Sequence, residues 1–415
     1  MLLTYKDKLN LTLEQEQILW KTSKEATELY NNLLSEKNIY YNENQKYLNY
    51  YEQQKTLKDY ETTYLTYDMK KEICRQLDNN YKSFFNLLKS NPEMNPKPPK
   101  YRSKRYFFTL SFVQDFILLE NVLRLSNKEC KFIDTEIRHP FEDESIKLRN
   151  KSKNILKTCK ISYDDTNNTF YYSITYEIHV KEEIQTNKNL SIDLGKKNIV
   201  TYYDEVTNTG VSFDSHEYYK NEKYFDKRID ELKSKIESKK KGSRARNKLN
   251  NKKRKLQKKK NKQNKLALHV LSKRISKLDR DIIIGELTNL KRNTLSDYRK
   301  QNRECQNNWQ LRTFVDLLDY KCKKEGRKLT KVNEAWTSKT CYKCGNIDYD
   351  LTPAKRTYHC EKCGEVIDRD VNGAINILKV YKQQKGDYST PPSHPMCDKR
   401  LFGNFRKVNS FCINL

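Results

Sequence analysis

Four cysteines stand in two pairs, Cys341-Tyr-Lys-Cys344 and Cys360-Glu-Lys-Cys363, with 15 residues between the pairs. Each pair sets two thiolates on one tight knuckle, and Gly345 and Gly364 permit the turn that follows. Four thiolates close a tetrahedral shell, so this spacing predicts a structural Zn²⁺ with no open coordination position. His359, beside Cys360, is read as a bystander. Acidic residues are the second signal. Asp193 ends a short apolar stretch just before Gly195, and Asp368 and Asp370 follow the second cysteine pair at the start of a helical pattern. Carboxylates gathered from separate strand ends can hold two divalent ions about 4 Å apart, one activating a water and the other stabilising the leaving oxygen of a phosphodiester. Spacing alone does not select that reading, because Asp at a strand end is also a common turn former.

A third feature is charge. Residues 239–262 carry 14 Lys and Arg and no acidic residue, half of the net charge of +28 that follows from 82 Lys+Arg against 54 Asp+Glu. Such a run is either a solvated helix face or a surface along nucleic-acid phosphates. Lys252-Lys-Arg-Lys255 is also basic enough for a nuclear import signal. Lys, Asn, Tyr and Ile dominate throughout, which an AT-rich coding genome would also produce, so composition by itself overstates the nucleic-acid case. The longest apolar runs, such as Phe116-Ile-Leu-Leu119, fall far below the ~18 residues of a membrane span, and Met1–Lys8 lacks a signal-peptide core. The odd total of 11 cysteines suits a reducing interior; Cys74, Cys130, Cys159, Cys305, Cys322, Cys397 and Cys412 are read as simple thiols.

Around these residues the pattern alternates between helical and extended. Tyr5–Leu11 reads as a strand, and Thr12-Leu-Glu-Gln15 has capping-box spacing for a helix whose apolar face holds Ala26, Leu29, Tyr30, Leu33 and Leu34. A second helix runs through Ile73, Leu77, Tyr81, Phe84, Phe85 and Leu88 and stops at Pro92. Residues 105–180 alternate, and Thr158–Ile178 reads as a hairpin turning at Asp164–Asn168. Short strands are expected over Leu190–Gly195, Asn198–Tyr203, Asp281–Leu287 and Leu329–Trp336. One long helical pattern covers Tyr218–Asp279, another helix carries Leu311 to Cys322, and a last one spans Asp370–Lys382. Residues 384–415, with Pro391, Pro392 and Pro395, read as a loose tail.

Three stretches resemble the motifs of TnpB proteins, RNA-guided nucleases of insertion sequences related to type V CRISPR effectors. They are Ser191-Ile-Asp-Leu-Gly-Lys-Lys-Asn198, Thr337-Ser-Lys-Thr-Cys-Tyr-Lys-Cys-Gly345 and Asp368-Arg-Asp-Val-Asn-Gly-Ala-Ile-Asn-Ile377. Tyr5–Gln17 and Pro98-Pro-Lys-Tyr-Arg-Ser-Lys104 are similar to the family's amino-terminal half, more loosely. The resemblance implies an α+β multidomain protein. A RuvC nuclease domain of RNase H type (186–335 and 366–383) would hold an inserted zinc ribbon (336–365). A wedge-like β-barrel (1–11 and 98–185) would be interrupted by a helical recognition lobe (12–97), and 384–415 would be a carboxyl-terminal tail. It also implies Asp193 as the first catalytic carboxylate and Asp370 as the last, with Asp368 the lesser candidate. The middle one departs from the usual bacterial pattern Ile-Glu-Asp-Leu. Here Ile284-Gly-Glu-Leu287 puts Gly285 at the Glu position, and Glu286 in a strand points to the opposite face. The Fanzor branch of the family lacks that Glu and uses one further downstream. Glu334, 49 residues after Gly285, is therefore the expected third carboxylate, with Glu286 in reserve.

The expected function is RNA-guided DNA endonuclease activity by two-metal hydrolysis, with Mg²⁺ at Asp193, Glu334 and Asp370 and Zn²⁺ at Cys341, Cys344, Cys360 and Cys363. A guide RNA would pair with double-stranded target DNA, and the protein would be a monomer within a ribonucleoprotein, intracellular, and nuclear if its host is eukaryotic or viral. A nuclease-dead RNA-guided DNA-binding protein and a zinc-ribbon DNA-binding accessory of a transposon are the alternatives; metal-dependent cutting and RNA-dependent binding separate them.

Overall fold

In a computed structural model, residues 1–138, 155–183, 186, 188–195, 197–286, 311–352, 354–386 and 396–401 are described. Leu287 and the prolines Pro391, Pro392 and Pro395 lie outside them, as do Cys305 and Cys412. The chain divides into two compact units, Met1–His179 and Val180–Ile413.

In the first unit, strand β1 (Leu2–Leu9) precedes helices α1 (Leu13–Asn44), α2 (Tyr50–Thr56) and α3 (Tyr67–Ser90). Thr12 and Gln15 close the expected capping box, with Gln15 N donating to Thr12 Oγ1 at 3.3 Å and Thr12 N to Gln15 Oε1 at 3.0 Å. Strands β2 (Leu110–Phe112), β3 (Phe116–Leu119), β4 (Val122–Asn127), β5 (Lys131–Glu136), β6 (Leu156–Asp164) and β7 (Thr169–Glu177) follow. Hydrogen bonding groups them into two sheets, ordered β1-β7-β6-β2 and β3-β4-β5. The hairpin β6–β7 turns at the expected Asp164–Asn168, and β1 pairs antiparallel with β7 from Leu2 opposite Glu177 to Leu9 opposite Phe170.

The second unit is built on one sheet. It comprises β8 (Asn189–Asp193), β9 (Asn198–Asp204), β10 (Thr209–Asp214), β11 (Asp281–Glu286), β12 (Leu329–Asn333) and β13 (Met396–Leu401), in the order β12-β11-β8-β9-β10-β13. The antiparallel run β8-β9-β10 continued by parallel β11 and β12 is the RNase H-type arrangement. The long helical pattern over 218–279 is in fact two helices, α4 (His216–Glu237) and α5 (Arg244–Ser276). They break at a turn where Gly242 has φ +81°, a conformation that costs glycine nothing. Helix α6 (Leu311–Lys324) ends at Gly326, φ +69°, where Arg327 N donates back to Cys322 O at 2.8 Å. Residues 396–401 correct the reading of 384–415 as a loose tail: they pair in parallel with β10 at the sheet edge. A sheet edge supplies backbone partners regardless of side-chain pattern, which is why hydrophobic periodicity missed this strand.

Alternation decides what each face of the sheet holds. Leu190 and Ile192 of β8, with Ile282 and Ile284 of β11, pack with Leu268, Leu271 and Phe314 from α5 and α6. On the opposite face Ile283 and Val332 meet helix α7 (Arg369–Gln384) through Val371, Ala374, Ile375 and Leu378. Asp193 and Gly285 share the parity of Ser191 and Ile283, so both point toward α7.

Candidate active site

Asp193 is the last residue of β8, and α7 crosses directly over it. The close crossing requires Gly373: a Cβ there would lie 3.1 Å from Asp193 Oδ2 and 3.3 Å from Ser338 Oγ. Asp370 occupies the first turn of α7 and is only 4% exposed. Its Oδ2 accepts a hydrogen bond from Asn198 Nδ2 at 2.8 Å, and Arg356 forms an ion pair with it. Asp368 serves a different purpose. It caps α7, its Oδ1 accepting from Asp370 N at 2.9 Å and Val371 N at 3.3 Å.

Glu334 follows β12 directly. The neighbouring strand β11 runs parallel with Gly285 opposite Val332. A side chain at position 285 would collide with the Glu334 carboxylate, and its Cβ would lie 3.0 Å from that of Glu334. Glu334 thus fills the space that a residue at 285 would otherwise claim. Glu286 has the opposite parity and is exposed.

The three carboxylates share one electrostatic environment. Burial pushes the Asp193 carboxyl well above its usual range, and the negative charges of Asp370 and Glu334 push it further, against the pull of Arg369 and Arg356. Burial alone raises Glu334 to about 7, and its Oε2 is buried without a hydrogen-bond partner. Repelling, desolvated carboxylates with an unpartnered oxygen make a donor set suited to hard divalent cations. Arg356 at Asp370 supplies part of the compensating charge. Among the described residues the carboxylates adjoin less tightly than the cysteines, whose ligand atoms all lie within 4.8 Å of one another.

In that second cluster Cys341 Sγ and Cys363 Sγ are 3.7 Å apart, and Cys344 Sγ and Cys360 Sγ 3.5 Å. Four sulfurs about 2.3 Å from one tetrahedral zinc would stand roughly 3.8 Å apart, so the cluster fits the ion. Tyr342 Oη donates to Glu365 Oε1 at 2.9 Å and Lys343 pairs with Glu365 Oε2 at 2.9 Å, bracing the two knuckles against each other. Helix α7 holds this module to the carboxylates. Asn372, one helical turn from Asn376, accepts from Tyr342 N at 2.9 Å and donates to Thr340 O at 2.8 Å. Asn376 Nδ2 donates to Thr337 O at 2.8 Å and to Thr340 O at 2.6 Å.

The structure therefore brings Asp193, Glu334 and Asp370 to one face and leaves Glu286 outside. Sequence reasoning missed the residues that condition them. Asn198, Asn372 and Gly373 lay inside quoted motifs, but Arg356, in a stretch without any pattern, offered no signal. Of the basic run, Lys252, Arg254, Lys255, Lys258 and Lys259 are exposed along α5. Lys260 is instead buried against α4, 2.7 Å from Asp226 and 3.7 Å from Glu222.

Residues 173–294 match a family described as "Probable transposase", and residues 312–377 match one described as "Cas12f1-like, TNB domain". TnpB-like protein L79 of Acanthamoeba polyphaga mimivirus is 46% identical over 76 residues, 17% of this chain and 14% of that protein. TnpB-like protein MJ0751 of Methanocaldococcus jannaschii is 30% identical over 31% of this chain and 44% of its own. The CRISPR-associated endodeoxyribonuclease Cas12f1 of Sulfoacidibacillus thermotolerans is 25% identical over 52% of each chain. The chain thus spans about half or less of the length of these curated relatives. A Cas12f1 chain from the cryo-EM structure of a Cas12f1–sgRNA–target DNA complex superimposes with a TM-score of 0.59 at 16% identity, covering 89% of this chain and 83% of that one. The sheet order, the cysteine cluster and that superposition make the second unit RuvC-like with a ribbon inserted before its last helix. The two family matches and the TnpB-like relatives, each over part of the chain, make it similar to TnpB proteins.

Proposed function

We propose that this chain is an RNA-guided DNA endonuclease that hydrolyses phosphodiesters at Asp193, Glu334 and Asp370. The observation that carries the reading is the exchange at Gly285: the position usually holding the middle carboxylate is empty, and the carboxylate of Glu334 stands in its space. That exchange favours an intact site over the nuclease-dead alternative, and it accords with a Fanzor-type chain. Magnesium ions held by these three residues would lower the pKa of an attacking water and stabilise the leaving oxygen. The chain's own groups prepare the site. Asn198 and Arg356 orient Asp370, Gly373 lets α7 close over Asp193, and burial keeps Glu334 poised for a cation. The exposed lysines and arginines of α5 would follow nucleic-acid phosphates, each lost contact reducing the log–log salt slope by about 0.9.

The test begins with RNA. Full-length protein is purified and its co-purifying RNA is sequenced; the reading expects one structured species with a variable end. Plasmid complementary to that end should be cut only with both RNA and magnesium present. RNA-dependent binding without cutting would return the nuclease-dead reading, and binding indifferent to RNA would leave a zinc-ribbon DNA-binding accessory.

A further inference from the structure

Trp336 has φ +67°, the left-handed region, where a bulky side chain is a genuine outlier. The strain is not explained by packing, since Trp336 is 57% exposed. Glycine or asparagine would satisfy the turn at less cost. The backbone there is firmly held. Trp336 O accepts from Lys339 N at 2.9 Å, Thr340 N at 3.0 Å and Thr340 Oγ1 at 3.0 Å, while Glu334 O accepts from Thr337 Oγ1 at 2.8 Å. Both ends of the turn are set in the carboxylate site: Glu334 fills the space at Gly285, and Ser338 lies beside Gly373 and Asp193. Its apex presents an indole outward.

The indole has company. Tyr349, 67% exposed, lies edge-on to it with ring centroids 5.8 Å apart and an interplanar angle of 69°. Lys339 donates to Tyr349 O at 2.6 Å and holds its ammonium 5.9 Å from the Trp336 ring centroid. Two exposed rings at a steep angle, with the Lys339 ammonium beside the indole, form a notch for a flat, anionic-backboned group.

We propose that Trp336 and Tyr349 form a stacking notch for an unpaired nucleobase of the DNA strand presented to the carboxylates, with Lys339 beside its phosphate. The inference rests on the endonuclease reading and names which part of the substrate these residues hold. Every base has a π face, so such a notch is indifferent to sequence but rejects paired bases, whose faces are already stacked. Its function is to fix the register of the strand over the site.

The test uses the full chain carrying Asp193→Asn, in buffer with neither added divalent cation nor chelator. A short single-stranded DNA with one 2-aminopurine is titrated at raised salt. The notch predicts quenching of that base and a Kd about tenfold weaker for Trp336→Gly, within the range of base–aromatic stacking. Trp336→Phe should restore most of the affinity, and blunt duplex DNA should show no quenching. Because glycine relieves the backbone strain, the melting temperature of Trp336→Gly should hold or rise. An unchanged Kd for Trp336→Gly overturns the proposal. So does a fall in melting temperature with affinity intact, which would make the ring pair a structural brace. Quenching by single-stranded RNA but not DNA overturns it as well. Since the readout is binding, a chain that never cuts DNA but shows the Trp336 effect would sink the endonuclease reading and leave the notch standing.

Discussion

The two clusters of the second unit solve opposite problems. The cysteine cluster draws all its ligands from residues 341–363, two tight knuckles whose geometry is nearly fixed by local turns. The carboxylate cluster draws on residues spread over 177 positions, from Asp193 to Asp370, and exists only once β8, β12 and α7 are assembled. One site helps to build the fold and the other is built by it. Metal binding to the first is expected to be folding energy, whereas charge at the second is a cost that the assembled sheet sustains.

Removing ligands gives the largest contrast. Cys341→Ser or Cys360→Ser should abolish a stoichiometric zinc, measured by metal analysis, and lower solubility and melting temperature; apparent zinc contributions in small closed sites reach about 10 kcal/mol. A zinc-free protein of unchanged stability would erase the distinction between the two clusters. Glu334→Gln should leave zinc and folding intact while lowering cleavage at least about hundredfold, as loss of one preorganised charge does. Guide-dependent DNA binding should persist in that variant, and Glu286→Gln should cut like the wild type. Cutting by Glu334→Gln together with loss in Glu286→Gln would reverse the assignment.

The pH dependence sharpens the same contrast. Burial raises Glu334 to about 7, against about 4.3 for an unfolded chain. Between those values the native state holds a proton that the unfolded chain has released. This group's contribution is therefore intact below about pH 4.3 and is lost as pH rises through 7, a change of up to about 4 kcal/mol. Thermal melts without added magnesium should show Glu334→Gln gaining on wild type from pH 5 to pH 8; parallel curves would mean that the carboxylate is well solvated. The smallest effect expected is that of Gly285→Ala. One methyl group pressed against Glu334 should cost about 1–3 kcal/mol of stability and displace the carboxylate, reducing cleavage with zinc content unchanged.

What was legible in the sequence follows the same division. The cysteine knuckles, the capping box at Thr12 and the β6–β7 hairpin depend on neighbours in the chain, and spacing exposes them. The membership of Asp193 and Asp370 in one cluster needed motifs, because nothing local links a strand end to a helix 177 residues away. The ion pair of Arg356 with Asp370 had no local trace at all. Lys260 looked like every other lysine of its run, yet α4 buries it against Glu222 and Asp226. The strand over 396–401 is held by the edge of β10, a partner that its own sequence does not name.

The overlap between position 285 and Glu334 has a consequence for ancestry. A glutamate added at 285 while Glu334 remains would crowd two acids into the room of one, and truncating Glu334 while Gly285 remains would leave that room vacant. With Glu334 in its proposed role, each single step away from the present pair is expected to impair the site. The two positions are then expected to behave as one inherited character with two states, crossed by changing both together or by passing through an impaired ancestor.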